Sequence, residues 1–294
     1  MKRKLIDGVI SFYSWLCVLA IAGAMTAILG YLVANGFHTL GKELIFGEAN
    51  PIAAILLRQP VFDGLFPAIV GTLTLILLSV LLAIPLGILA GIYLAEFSRG
   101  PVKQFFNLLF DIQAGIPSIL IGLFGFSVAV FLHRVFEGSI YPCLLISACS
   151  LAFLVLPYII RTTQVSLETL PDSIRLTAPA LGATKLQNIL YVLLPRSMNG
   201  IVSGIVLSIG RCAEDTAVIM LTGVVATAGI PKSLFGSYEA LPFYIYYISS
   251  QYSDQQELQK GFGAALILLA LCGMLLALAL LIKKRFRSSD FSIL

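Results

Sequence analysis

Six stretches of this chain are long and apolar enough to cross a bilayer, which leaves few folds open. Residues 8–37, 64–95, 112–132, 138–160 and 261–282 contain no Asp, Glu, Lys or Arg. Residues 197–231 are interrupted by three charges. Each run reaches the roughly 20 residues that carry a helix through hydrocarbon. Inside hydrocarbon every backbone polar group must be satisfied within the protein, so only helices and closed β-barrels span. No run alternates polar and apolar residues over ten-residue segments, which speaks against a barrel. Only 12% of the 294 residues are charged, about half of the roughly 25% in a soluble domain. The sequence thus predicts an all-α integral membrane protein with six transmembrane helices.

Lys and Arg in the loops set the orientation. With the N-terminus inside, thirteen of the nineteen fall in inner segments, five in outer loops, and Arg211 within the membrane. Both termini are therefore expected in the cytoplasm. The net charge of +4 follows from this topology and gives no reason to expect nucleic acid. The basic run Lys283-Lys-Arg285 is read as a stop-transfer anchor. The first apolar run exceeds the about 7–15 residues of a signal-peptide core and reads as a retained helix. Four of the five cysteines (Cys17, Cys143, Cys149, Cys272) lie in apolar runs, and Cys212 adjoins the charged cluster. No C-x-x-C pair occurs, so they read as small apolar residues. His38 and His133 lie in outer loops without a partner motif, and no metal is expected.

The charges in the fifth run are Arg211, Glu214 and Asp215, with Thr216 following. Charge at membrane depth is costly and usually faces the protein interior or a water-filled path. On a continuous helix Arg211 would reach Glu214 at i+3 and Asp215 at i+4, so either carboxylate would neutralise it. Two readings stay open. Arg211, with its planar fork of donors, is a resting place for an anion, or the cluster is a permanent ion pair between helices. Arg161, at the inner end of the fourth run, is likewise a contact for an exiting anion or a topological anchor.

The inner loop 161–196 has structure of its own. Pro171-Asp172-Ser173 starts a helix and Leu181-Gly182 ends it. Thr184 with Gln187 forms a capping box for a second helix. Ile189, Leu190, Leu193 and Leu194 give that helix an apolar face, and Pro195 is expected to stop it. Such an ordered loop points to a partner. The first outer loop, about 38–63, is rich in turns. The last, about 226–260, carries Phe235, Tyr238, Phe243, Tyr244, Tyr246, Tyr247 and Tyr252, read as an interfacial belt or a docking surface. Gly87-x-x-x-Gly91 and Gly200-x-x-x-Gly204 allow close helix contact. The G-x-x-x-x-G-K string from Gly36 to Lys42 is followed by Glu43, not Ser or Thr, and is no P-loop. No nucleophile–base–orienter arrangement occurs, so catalysis in this chain is not expected.

The inner loop reads Leu170-Pro-Asp-Ser-Ile-Arg-Leu-Thr-Ala-Pro-Ala-Leu-Gly-Ala-Thr-Lys185, continuing to Pro195. It resembles the EAA loop of ABC importer permeases through Ala178, Gly182, Ala183, Leu193 and Pro195. Leu176 stands where that family usually has Glu, and Pro179 lies inside the first short helix. Leu156-Pro-Tyr-Ile-Ile-Arg-Thr-Thr163, Gly115-Ile-Pro-Ser118, Ala180-Leu-Gly-Ala-Thr-Lys185 and Ile209-Gly-Arg-Cys-Ala-Glu-Asp-Thr-Ala217 are similar to permeases of the phosphate-specific transport (Pst) system, PstA-like more than PstC-like. The likeness covers about residues 65–285. Near the membrane charge that family reads G-R-x-x-G-E-T. Gly210, Arg211 and Thr216 match, Asp215 replaces Glu, and Glu214 replaces the glycine.

The resemblance implies a type I importer permease fold. Residues 1–66 would form a first helix and outer loop, 67–285 a five-helix core, and 286–294 a cytoplasmic tail. It implies a coupling role toward an ATPase for Asp172, Ala178, Leu181, Gly182, Ala183, Thr184 and Lys185. It also implies a substrate path through Arg211, Glu214, Asp215, Thr216 and Arg161. The expected partners are a second permease (PstC-like), a dimer of ATP-binding subunits (PstB-like), an extracytoplasmic phosphate-binding protein (PstS-like) and membrane lipid. ATP and Mg would be used by the partner ATPase, with no cofactor on this chain. The expected location is the inner membrane of a prokaryote. A PstC-type role, another small oxyanion, or a self-sufficient secondary transporter are the alternatives. The last of these would often show inverted repeats, and none is visible.

Overall fold

Two glycine pairs hold the bundle together. In the computed structural model, which describes residues 2–47, 64–138 and 141–289, a central helix α6 (Leu144–Glu168) is flanked by α3 (Phe66–Ile92) and α9 (Leu194–Glu214). A Cβ on Gly87 would lie 2.6 Å from Ile159, and one on Gly91 2.6 Å from Thr163. Cβ atoms on Gly200 and Gly204 would collide with the Ser166 and Thr162 side chains. Both small-residue spacings thus press α3 and α9 onto α6, the contact expected of such motifs in lipid. Leu151, Val155 and Ile159 of α6 are fully enclosed, with Ile76 and Ala83 of α3.

The remaining elements are α1 (Lys2–Gly36), a 3₁₀ turn Phe37–Thr39, α2 (Lys42–Phe46), a π turn Tyr93–Phe97 extending α3, α4 (Gly100–Gly115) and α5 (Ser118–Val135). Then come α7 (Asp172–Ala180), α8 (Lys185–Asn188), a second π turn Ile189–Leu193, α10 (Ala217–Thr222), α11 (Leu241–Gln251) and α12 (Gln255–Ser289). Among the described residues six helices are long and apolar enough to span: Ile6–Thr39, Phe66–Phe97, Ser118–Val135, Leu144–Glu168, Lys185–Glu214 and Gln255–Leu281. Six crossings bring both ends of the described chain to one face of the bundle, here the termini face. From Ile6 to Tyr31 every side chain of α1 is exposed. This helix touches the rest through α12, with Tyr31 edge-on to Phe262 at 5.6 Å between ring centroids.

Several expectations are corrected. Pro195 does not stop a helix. It sits in the first turn of α9, where its missing N–H breaks no bond, and the π turn before it joins α8 and α9 into one span. The fourth span runs past Arg161 to Glu168, so the inner loop begins later than residue 161. The third run, 112–132, is two helices broken at Ile116-Pro117. Ile116 is extended (φ −68°, ψ 127°), as a residue before proline prefers. The amphipathic α4 before the break was not foreseen. In the last outer loop Tyr238 is completely buried and belongs to the core, not to a belt or docking surface. Its carbonyl accepts from Val225 N–H at 3.0 Å. The turn signals at 50–51 and 59–60, Arg58 and the tail from 290 lie outside the described residues.

Candidate translocation site and coupling loop

Arg211 lies half-way through the bundle. Gly204 of α9 sits against Thr162, and Gly200 against Ser166, so the two helices run antiparallel in register. Arg211 is a further seven residues on, roughly 10 Å at 1.5 Å per residue. That places it level with Val155 and Leu156, the midpoint of α6. Its Nη1 donates to Glu214 Oε1 at 2.6 Å. The arginine side chain is 35% exposed and that of Glu214 62%. Arg211 Nε is enclosed with no hydrogen-bond partner among the described residues.

The helix ends here. Asp215 is extended (φ −83°, ψ 112°), which removes it from the i+4 position a continuous helix would have given it. Its buried carboxylate instead accepts from Val218 N–H at 2.9 Å and holds the first turn of α10. Among the described residues Glu214 is the ion-pair partner of Arg211, and Asp215 serves the break. Thr216 stands at the start of α10 with no side-chain cap bond. The arrangement is a half-buried cation beside an exposed carboxylate, which suits transient exchange for another anion.

Arg161 does not meet Arg211. It clamps α4 to α6, donating to Asn107 Oδ1 at 2.8 Å, Asn107 O at 2.9 Å, Gln164 Oε1 at 3.1 Å and Asp111 Oδ1 at 2.5 Å. The chain continues through Gln164 to Glu168 at 3.0 Å and on to Lys103 at 2.7 Å. Deeper in the bundle, Gln113 donates to the Phe153 carbonyl at 2.9 Å.

On the termini face, α7 starts at Asp172 and ends where Gly182 takes a left-handed conformation (φ 84°). Ala183 N–H returns to the Ala178 carbonyl at 3.1 Å. Thr184 and Gln187 form the expected capping box: Thr184 N–H donates to Gln187 Oε1 at 2.8 Å, and Gln187 N–H to Thr184 Oγ1 at 3.3 Å. Leu181 (86% exposed), Leu176, Leu186 and Tyr191 project outward. On the inner side Leu167, Ile189 and Leu193 are enclosed together. Glu96, in the π turn after α3, pairs with Arg175 at 2.6 Å, and its carbonyl accepts from Lys185 Nζ at 2.5 Å. In the sequence Glu96 carries no motif and Arg175 reads only as a topological charge. The available signal was a lone carboxylate closing a 32-residue apolar run.

At the opposite face a cavity of about 300 Å³ is lined in part by Glu239, Phe243, Tyr244, Tyr247, Glu257 and Lys260. Glu239 Oε1 accepts from the N–H groups of Ala228 and Gly229 at 2.8 and 2.7 Å, which fixes the loop after α10. Cys143 and Cys212 are buried, Cys17 and Cys149 exposed, and no group of three or more potential metal ligands occurs among the described residues.

A six-span bundle with a broken, charged fifth helix and an ordered loop on the termini face is the architecture of an importer permease. Residues 83–288 match the binding-protein-dependent transport system inner membrane component family, and the chain belongs to it. Among its relatives, the phosphate transport system permease protein PstA of Yersinia pestis is 36% identical over 218 residues, covering 72% of this chain and 70% of that one. The PstA protein of Pasteurella multocida is 31% identical over 269 residues, 91% of each chain. In fold, the chain is similar to a chain of the inward-facing MetNI methionine ABC transporter, with a TM-score of 0.58 and 18% identity over 81% of this chain and 99% of that one.

Proposed function

We propose that this chain is the membrane permease of an ATP-driven importer of inorganic phosphate, in the PstA-type position. The observation that carries the reading is Arg211, held at mid-depth against an exposed carboxylate. Phosphate enters beside Arg211, displaces Glu214 from the guanidinium and takes its place in charge-assisted hydrogen bonds. Return of Glu214 releases it, so the site binds strongly enough to admit the anion and weakly enough to let it go. Asp215 and Thr216 shape the break that opens this point of the helix, and Arg161 is the next cation toward the termini face. That face is cytoplasmic, in the inner membrane of a prokaryote.

The chain works beside a PstC-like permease, a PstB-like dimer of ATP-binding subunits and a PstS-like extracytoplasmic phosphate-binding protein. Asp172, Ala178, Leu181, Gly182, Ala183, Thr184 and Lys185 form the segment that docks on the ATPase, with exposed Leu176 in place of a carboxylate contact. ATP and Mg act on the partner, and this chain carries no cofactor and no catalysis.

The test is Arg211→Gln in the assembled complex, reconstituted in vesicles. Loss of a charge-assisted contact worth about 1.5–3 kcal/mol is expected to lower phosphate uptake by about 10- to 100-fold while the subunits still copurify. Uptake at the wild-type rate would remove Arg211 from the path.

A further inference from the structure

The termini face holds a partly buried ion pair that neither the proposed substrate path nor the ATPase-docking segment uses. Glu96 closes the π turn at the end of α3, with its side chain only 10% exposed. Its carboxylate takes Arg175 Nη1 at 2.6 Å. The rest of that guanidinium is spent on the end of α6: Nη2 donates to the Leu167 carbonyl and Nε to the Leu170 carbonyl at 3.3 Å. Arg175 lies in α7. Its own carbonyl accepts from Asn188 Nδ2, at the end of α8, at 2.9 Å. Lys185, at the start of α8, donates to the Glu96 carbonyl at 2.5 Å and lies over the Phe97 ring at 4.3 Å from its centroid. The Glu96 carboxylate thus ties α7 to the end of α3, Arg175 carries the link on to the end of α6, and the Glu96 and Arg175 backbone carbonyls hold α8 beside them.

We infer that Glu96 and Arg175 form the joint through which movement of the inner loop reaches the spanning helices. The joint is hydrogen-bonded on its inner side, while the loop's outer surface is exposed. Arg175 faces inward while its neighbour Leu176 is 65% exposed, so α7 presents one side to a partner and is bonded to the bundle by the other. The joint meets α3 at a π turn, an irregularity often found at functional positions in helices. It meets α6 at its last turn. A push on α7 and α8 is therefore delivered to α3 and α6 together, and α6 lies against the helix that carries Arg211. Glu96 and Arg175 are positioning residues that touch no substrate.

This inference rests on the importer reading, and the experiment separates the two. Wild type, Glu96→Gln and Arg175→Lys are compared in the full complex for subunit copurification, basal ATP hydrolysis, its stimulation by phosphate-loaded binding protein, and phosphate uptake. Glu96→Gln keeps the shape and loses the charge. Stimulation and uptake are expected to fall about tenfold, within the usual range of a coupling between sites, with assembly and basal hydrolysis within about twofold of wild type. Arg175→Lys keeps the charge and is expected to recover at least part of the stimulation. Unchanged stimulation and uptake in Glu96→Gln would overturn the joint. So would a parallel fall of assembly, basal hydrolysis and uptake in both variants, the signature of a purely structural pair. A wild-type chain that copurifies with no ATPase would overturn the importer reading itself, and the joint with it.

Discussion

At the scale of single residues, one carboxylate decides how the membrane cation behaves. Glu214 is the group that pairs with Arg211 among the described residues. If its task is to compete with the transported anion, Glu214→Gln strengthens phosphate binding and slows release. Transport by that variant is expected to show a lower KM together with a lower maximal rate, measured as initial uptake against phosphate concentration; a higher KM would contradict the exchange. A second prediction concerns the opposite face. Burial, and then the nearby Glu257 and Glu239, push the Tyr244 phenol above its ordinary value of 10.0. The folded state therefore holds this proton more tightly than the unfolded chain does. Its contribution to stability is complete below the ordinary value and is lost as pH rises through the raised one. Tyr244→Phe is expected to move the alkaline unfolding midpoint of the purified protein to higher pH, and a shift to lower pH would refute it.

Among the helices, what was legible in the sequence followed hydrophobic length and local capping chemistry. Six spans, the two-helix inner loop, the left-handed Gly182 and the Thr184–Gln187 box are all local properties, so they could be read without coordinates. The misreadings came where tertiary context overrides a local rule. Pro195 looks like a stop, but a π turn before it turns the same proline into a helix start. Ile116-Pro117 divides a run whose composition is uniformly apolar. Arg211 and Asp215 are spaced as i and i+4, but the backbone leaves the helix between them. Glu96 carries no motif, and its meaning depends on Arg175, 79 positions away. The glycine pairs were legible as packing motifs, while their shared partner α6 was not. Because a side chain at Gly204 would occupy the place of the Thr162 hydroxyl, Gly204→Leu is expected to destabilise the complex by about 1–3 kcal/mol, the usual effect of overpacking. The readout is a lower thermal midpoint in detergent. An unchanged midpoint would mean that α6 and α9 need not approach so closely.

For the molecule as a whole, six crossings and the uneven Lys and Arg distribution predict that a fluorescent protein fused after the last residue folds in the cytoplasm and is bright. An alkaline phosphatase fused there is expected to be inactive. The reverse pattern would invert the path and move the inner loop away from any cytoplasmic ATPase. The seating of α1 has a consequence for how the protein is made. Its contacts are with α12, and the bond from Thr39 to the Gln259 carbonyl joins residues 220 apart. At about 5–20 residues per second, the ribosome needs roughly 10–45 s to deliver the second partner after the first. Throughout that interval the first helix waits in the bilayer without its mate, which makes its early companions, whether lipid, insertion machinery or another subunit, a matter of timing as much as of affinity.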